Sequence, residues 1–224
     1  MYHFFFKRFI DFTLSLFAMI ILVPFLLPIS IYLLLTGEHY IFYLQKRMGY
    51  RNKPFLIIKF ATMLKASPSL GTGSITLRND PRVLPMGRFL RKTKINELPQ
   101  LINVLIGNMS IVGPRPQMEI DFYKFPENIQ KTINDTKPGI TGIGSIIFRD
   151  EENWISNAKG DKHEFYRIHI APYKGELELW YQQHLSFGTD VKLIFLTAWV
   201  ILFPKSDLVY EVFKSLPPRP EILK

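Results

Sequence analysis

The segment Arg91–Pro116, RKTKINELPQLINVLIGNMSIVGPRP, places a carboxylate at a helix start between two arginine-containing loops. From residue 96 onward, leucine and isoleucine recur at helical spacing, and Gly107 supplies a C-terminal stop. Pro99 is compatible with this helix only within the first turn. We therefore predict Asn96 as the N-cap, with Glu97 at the positive end of the helix dipole.

Cationic side chains on both sides of this helix start predict an anion site. Arg88 precedes it, and Arg115 lies between two prolines, which restrict where its guanidinium can point. Guanidinium groups bind phosphate oxygens in a bidentate fork, and Mg²⁺ usually takes one or two carboxylates plus phosphate oxygens. The pattern predicts a magnesium-bridged diphosphate site with Glu97 as the metal ligand. The alternative is that Glu97 balances the helix dipole and the arginines form surface ion pairs.

The N-terminal part of the chain has the composition of a membrane helix. No charged residue occurs from Phe12 to Gly37, which is long enough to cross a hydrocarbon core of roughly 30 Å. Pro24 and Pro28 lie at its middle and predict a sharp break in the helix. The flanking cations are Lys7, Arg8, Lys46, Arg47, Arg51 and Lys53. Because positive charge favours the cytoplasmic face, cations on both flanks favour a re-entrant helix over residues 1–38, with a kinked single-pass anchor as the alternative.

Composition and charge limit the partners and the kinds of chemistry that the chain can use. The chain has 224 residues, a net charge of +9 and 47% hydrophobic residues, which together indicate an anionic phospholipid membrane or a phosphate-rich substrate as partner. We expect no nucleic-acid partner, because the basic residues lie in phosphate loops and membrane flanks. The absence of cysteine excludes disulfides, thiolate catalysis and cysteine-ligated metals. The sequence is compatible with a homo-oligomer.

The predicted fold class is α+β and mainly helical. It consists of a small globular catalytic domain, residues 39–224, an N-terminal proline-broken re-entrant membrane helix and membrane-surface amphipathic helices. Tyr40–Leu44 and Pro54–Phe60 are predicted as strands of a small sheet, and Ala66–Asp80 as a mobile loop. Leu193–Phe203 is predicted as a membrane-surface helix, with a buried core helix as the alternative.

From Lys7 to about Phe203, the chain resembles the bacterial sugar transferase family, the monotopic polyprenyl-phosphate phosphoglycosyl transferases. The matching residues, in chain order, are Lys7-Arg8, Gln45, Arg47, Gly49, Lys59-Phe60, Thr62-Met63, Asn79-Asp80-Pro81-Arg82, Gly87-Arg88-Phe89-Leu90-Arg91-Lys92-Thr93, Glu97-Leu98-Pro99-Gln100, Asn103-Val104-Leu105, Gly107, Met109-Ser110, Val112-Gly113-Pro114-Arg115-Pro116, Lys137-Pro138-Gly139-Ile140-Thr141-Gly142, Arg149, Asp190 and Thr197. So many ordered and spaced matches are highly specific.

The resemblance implies transfer of a sugar-1-phosphate from a UDP-sugar to polyprenyl (undecaprenyl) phosphate, with release of UMP. This is the first membrane step in the biosynthesis of a surface glycan, at the cytoplasmic face of the bacterial inner membrane. In the family, an aspartate directly before the glutamate acts as nucleophile, and the glutamate helps to hold Mg²⁺. Lys59, Arg88, Arg115 and Arg149 match phosphate-contacting positions of the family.

Two residues depart from the family pattern. Asn96 stands at the position of the nucleophilic aspartate, and Ala61 stands where an arginine usually follows Lys59-Phe60. An amide cannot form an acyl phosphate. Three explanations follow. The chain is an inactive form, engineered or natural, that binds substrates without turnover; or polyprenyl phosphate attacks the UDP-sugar directly and slowly; or another carboxylate acts as the nucleophile. Asp80 is the nearest such acid in sequence, but its Asn-Asp-Pro-Arg setting is typical of a turn.

Overall fold

The structure, a computed structural model, describes residues 5–70 and 79–223. Its fold is α+β and mainly helical, as predicted. The described helices are α1 (Lys7–Leu35), α2 (Pro85–Lys92), α3 (Gln100–Ile106), α4 (Glu119–Phe122), α5 (Glu127–Thr132), α6 (Ile143–Ile147), α7 (Glu151–Asn157), α8 (Lys162–Phe165), α9 (Ala171–Gln183), α10 (Phe187–Leu202) and α11 (Leu208–Val212). The described strands are β1 (Phe42–Met48), β2 (Pro54–Phe60), β3 (Ser110–Val112) and β4 (Gly139–Thr141). Short 3₁₀ turns occur at Tyr50–Asn52, Ser67–Ser69, Ile95–Glu97 and Glu221–Leu223, and a π-helical turn at Tyr166–Ile170 leads into α9.

Helix α1 runs without interruption from Lys7 to Leu35, with Pro24 and Pro28 inside it. Two separate helices are therefore not formed, and a kink at the two prolines stays a prediction. By length and composition, α1 is the only helix in the described ranges that could cross a membrane; its most apolar window has a mean hydropathy of 2.6. The re-entrant path stays a prediction.

The N-terminal half of α1 is attached to the globular part by polar contacts. Lys7 is buried and forms an ion pair with Asp190 of α10, which also accepts a hydrogen bond from the Tyr181 hydroxyl at 2.7 Å. Arg8 donates to two backbone carbonyls at the C-terminal end of α3. Asp11, which is buried, accepts a backbone N–H of β3 at 3.0 Å.

The C-terminal half of α1 packs against the same globular part through apolar contacts. Leu26 and Leu33 are buried in one cluster with Phe60 of β2 and Leu90 of α2. Both halves of the helix therefore rest on the part of the molecule that carries the predicted site.

Strands β1 and β2 form an antiparallel hairpin in which Tyr43 faces Lys59 and Arg47 faces Phe55. The predicted strand Pro54–Phe60 is confirmed. The first strand extends four residues beyond the predicted end at Leu44, because the alternation of side chains continues through its charged residues. Directly paired residues lie on the same face, and so do residues four apart on one strand. Arg47 pairs with Phe55, and Lys59 follows Phe55 by four residues, so Arg47 and Lys59 lie on the same face of the hairpin.

The turn before α3 differs from the prediction. A 3₁₀ turn covers Ile95–Glu97, and α3 begins only at Gln100, with Pro99 as its N-cap. The assignment of Asn96 as N-cap is therefore wrong. Pro99 has no N–H to donate to the carbonyl four residues earlier. Before the proline, the backbone therefore forms the i→i−3 hydrogen bonds of a 3₁₀ turn and not the i→i−4 bonds of an α-helix. The predicted stop at Gly107 is confirmed by its left-handed φ of 93°.

Strands β3 and β4 pair in parallel and position the loop that contains Arg115. The two chains approach closely at Gly113 and Gly139, where a Cβ on Gly139 would lie 2.1 Å from the Gly113 nitrogen. Any side chain there would separate the strands. The absence of side chains at these two glycines therefore allows the strand before the arginine loop to pack directly on β4.

The main core is formed around α9 and α10. Leu193, Leu196 and Val200 bury one face of α10. Its opposite face is apolar and exposed, through Val191, Ile194, Phe195, Ile201 and Leu202. The predicted helix Leu193–Phe203 is confirmed as part of α10. Because one face of α10 is exposed, the alternative of a wholly buried core helix is wrong. Contact of that face with a membrane surface stays a prediction. Most of the predicted loop Ala66–Asp80 lies outside the described residues, apart from the 3₁₀ turn at its start.

Candidate active site

Glu97 lies at the centre of the site and binds two cations. Its Oε1 accepts hydrogen bonds from Arg115 Nη2 at 2.8 Å and from Lys59 Nζ at 3.4 Å. The side chain of Glu97 is only 12% exposed, whereas that of Arg115 is 33% exposed. A 3₁₀ turn, strand β2 and the loop after β3 supply one residue each. The structure thus brings together three residues that the sequence placed in one site.

The electrostatics of this centre favour anions. Burial acts to raise the pKa of Glu97, but Arg115, Lys59 and Lys94 outweigh it and hold that pKa well below its usual range. Burial lowers the pKa of Lys59 to about 7; Glu97 opposes this change, and Arg115 and Arg47 add to it. One ionised carboxylate therefore lies among several cations. A bound phosphate group would reduce the repulsion between these cations.

Lys94 is one of two cations of the site that the sequence analysis did not assign to it. It directly precedes the 3₁₀ turn and has a left-handed backbone, with φ of 61°. Burial lowers the pKa of Lys94, with Glu97 opposing and Arg115 adding. No sequence motif predicts a lysine in this conformation.

Arg47 is the second such cation. Its guanidinium donates to Gln45 Oε1 at 2.5 and 3.0 Å and to the carbonyl of Pro116 at 3.3 Å. Burial lowers the pKa of Arg47 to about 10, and Arg115 adds to the lowering. Its position near the apolar N-terminal segment suggests a membrane flank, although the alternation within FYLQKRM could have placed Arg47 on the Lys59 face.

Asn96 is buried, with 5% of its surface exposed, and lies next to Glu97 in the chain. Its Oδ1 has no hydrogen-bond partner within the described part of the chain. A buried carbonyl oxygen without a donor is costly, so this atom is available to a ligand.

Arg88 and Arg149 are less closely tied to Glu97 than predicted. Arg88 is exposed on α2, and among the residues that the structure describes its guanidinium forms no hydrogen bond or ion pair. Arg149 follows α6; burial lowers its pKa, and its charge contributes to the lowered pKa of Lys94. Arg149 therefore borders the site, whereas contact of Arg88 with a phosphate stays a prediction.

The two other positions singled out in the sequence are both buried. Asp80 lies in a turn and binds the Arg82 guanidinium at 2.6 to 3.2 Å, so its carboxylate is engaged in local structure. Ala61 is 1% exposed, and its N–H donates to the carbonyl of Ile41 at 2.9 Å.

The donor atoms at this centre fit Mg²⁺ in type. Glu97 supplies an ionised carboxylate, and Asn96 Oδ1 supplies an orphaned amide oxygen beside it. Across residues 5–70 and 79–223, no group of three or more His, Cys, Asp or Glu residues could hold a metal. The protein would therefore contribute few ligands, and phosphate oxygens would supply others, as is usual for Mg²⁺.

Comparison with known proteins gives consistent matches. The family model "Bacterial sugar transferase" matches residues 2–204. The chain is 34% identical over 197 residues to the uncharacterized sugar transferase EpsL of Bacillus subtilis, covering 88% of this chain and 87% of that protein. It is 32% identical over 195 residues to the UDP-glucose:undecaprenyl-phosphate glucose-1-phosphate transferase of Escherichia coli K12, covering 86% of this chain and 39% of that protein. It is 30% identical over 212 residues to the undecaprenyl-phosphate galactose phosphotransferase of Salmonella typhimurium, covering 88% and 40%. The chain thus spans about two fifths of the length of the latter two relatives.

Proposed function

This chain belongs to the bacterial sugar transferase family, and on that premise we propose that it transfers a sugar-1-phosphate from a UDP-sugar to polyprenyl phosphate and releases UMP. One observation carries the proposal: the buried carboxylate of Glu97 is bound by Arg115 and Lys59 next to a long apolar helix. A diphosphate and a lipid-borne phosphate need such a combination of clustered cations and membrane access.

The reaction breaks the bond between the bridging oxygen of the diphosphate and the phosphorus that carries the sugar. That phosphorus becomes joined to an oxygen of the polyprenyl phosphate, and the bridging oxygen leaves with UMP. Arg115 and Lys59 neutralise the phosphate oxygens, and Glu97 keeps both cations in place before the substrate arrives. Glu97 would hold Mg²⁺, which would supply further neutralisation of the charge on the diphosphate.

The acceptor lipid places the reaction at a membrane. We propose that α1 anchors the chain in the bacterial inner membrane, with residues 39–224 on the cytoplasmic face where nucleotide sugars occur. The product would serve as a first lipid-linked intermediate of a surface glycan.

Asn96 favours a second candidate function, a catalytically impaired relative that binds the same ligands without turnover. Its amide cannot form a covalent phosphosugar intermediate. If this chain does catalyse transfer, polyprenyl phosphate must attack the UDP-sugar directly, without a covalent enzyme intermediate.

The two functions are separated by comparing Asn96→Asp with the unaltered chain. We expect Asn96→Asp to raise UMP release from a UDP-sugar panel, with undecaprenyl phosphate and Mg²⁺ present, by at least about 100-fold, since loss of a nucleophile usually costs more than this. Asn108→Asp, an exposed change of the same charge, should leave the rate unchanged. Equal UMP release from Asn96→Asp and the unaltered chain would remove residue 96 as nucleophile position. No turnover by either would support the binding relative.

A further inference from the structure

A groove of about 420 Å³ lies between strand β1 and helix α4, beside the candidate active site. Arg47 borders this groove and also borders the small cavity at the phosphate centre, together with Lys59 and Arg115. That inner cavity has a volume of about 10 Å³, which is near the size of a single water. A nucleotide bound at the centre must therefore extend outward, and the groove is in the size range of small-molecule sites.

The lining of the groove suits a flat ring. Met118, Ile120 and Tyr123 are among its lining residues, and the last two are 59% and 61% exposed. Aromatic rings and thioethers are good stacking partners for nucleobases.

The edge of β1 offers a polar match for such a ring. Met48 donates its N–H to the carbonyl of Gln117 at 2.8 Å, which shows that this residue's backbone faces away from β2. Because backbone direction alternates in an antiparallel ladder, the N–H and C=O of Lys46 face the same way, toward the groove. An adjacent donor and acceptor complement the carbonyl and N–H of a uracil imide.

The rim of the groove carries opposite charges. Lys46 Nζ and Glu119 Oε2 are 3.7 Å apart, and both side chains are more than half exposed. A carboxylate suits the hydroxyl pair of a ribose, whereas a polyprenyl chain gains nothing from it.

We propose that this groove binds the nucleoside of the donor nucleotide, with the base stacked on Tyr123 and paired with the Lys46 backbone, and with the ribose near Glu119. The proposal rests on the proposed function, because it assumes that the phosphates of the same nucleotide occupy the Arg115 centre. It names the part of the site that distinguishes a nucleotide from a bare diphosphate.

The test measures binding of UMP and of pyrophosphate to the full chain in detergent by calorimetry. Tyr123→Ala should weaken UMP binding roughly tenfold and leave pyrophosphate binding unchanged, because only the nucleoside stacks. Tyr123→Phe retains the ring and should bind UMP as the unaltered chain does.

Several results would overturn the proposal. These are absence of UMP binding by the unaltered chain, unchanged UMP affinity in Tyr123→Ala, and an equal loss of pyrophosphate affinity. Weakened binding of undecaprenyl phosphate instead of UMP would assign the groove to the lipid. Because binding is measured without turnover, failure of the transferase proposal would leave this result interpretable.

Discussion

At the scale of single residues, Glu178 is the most unusual group outside the phosphate centre. It is 1% exposed on α9, and neither carboxylate oxygen has a hydrogen-bond partner within the described ranges. A Cβ at Gly144 would lie 2.3 Å from Glu178 Oε1, so the carboxyl group fills the space that this glycine leaves. Burial raises the pKa of Glu178 to about 8, against the lowering effects of Arg115 and Lys174. At neutral pH the group is therefore an uncharged acid beneath the Arg115 loop.

This raised pKa makes the stability of the protein depend on pH. The unfolded chain ionises Glu178 near its ordinary pKa of about 4.3, whereas the folded chain keeps the proton until about pH 8. The folded state thus binds more protons between these values, so stability falls as pH rises through this window. Glu178→Gln removes the ionisation, and we expect it to stabilise the fold at pH 9 by a few kcal/mol and to be nearly neutral at pH 4.5.

Thermal unfolding of both forms in detergent at pH 4.5 and pH 9 measures this difference. Glu176→Gln, an exposed change on the same helix, serves as the control and should show no such dependence. An advantage of Glu178→Gln that is the same at both pH values would show that folding does not raise the pKa of Glu178.

At the scale of elements, the attachment of α1 depends on a buried ion pair. Lys7 and Asp190 have side chains only 9% and 7% exposed, and Tyr181 bonds to the same carboxylate. Removing one partner leaves a buried charge, so Asp190→Ala should cost about 3–5 kcal/mol. The double change Lys7→Met with Asp190→Leu removes both charges and should cost less than the single change.

Unfolding in detergent provides the measurement for this cycle. The exposed pair Arg167–Glu164, 3.7 Å apart, is the control, and its loss should cost at most about 0.5 kcal/mol. Strictly additive costs at Lys7 and Asp190 would mean that the two charges do not interact.

Sequence patterns predicted elements where local chemistry decides them. The β-branched and aromatic run of β2 and the glycine stop of α3 were found because they depend on a few adjacent residues. The start of α3 was missed because Pro99 alters hydrogen bonding on both sides of itself.

The same distinction holds for the site. Glu97, Arg115 and Lys59 were predicted from motifs and do meet, as the distances of 2.8 and 3.4 Å show. Lys94 was missed from the site because its backbone conformation is uncommon. The burial of Glu178, outside the site, was missed because residues distant in sequence create its environment. Burial of a charged group is a tertiary property that no short pattern encodes.

At the scale of the whole molecule, α1 contacts the globular part near both of its ends. Lys7 binds Asp190 at one end, and Leu33 packs with Phe60 near the other. The chain then enters β1 at Phe42, seven residues after α1 ends. A straight helix of 29 residues would be about 43 Å long, more than a bilayer core. If α1 enters a membrane, a globular part that contacts both ends of the helix can lie on one side only, so these contacts support the predicted re-entrant path over a full span.

We therefore expect both ends of α1 to face the cytoplasm. The chain contains no cysteine, so single cysteines introduced as His3→Cys and Lys53→Cys report their own location. In intact bacterial cells, a membrane-impermeant maleimide should label neither position, and it should label both after permeabilisation. A periplasmic protein with a known free thiol controls for access of the reagent. Labelling of position 3 but not of position 53 in intact cells would instead show a full span, and the contacts of Lys7 with Asp190 would then be incompatible with the membrane-bound form.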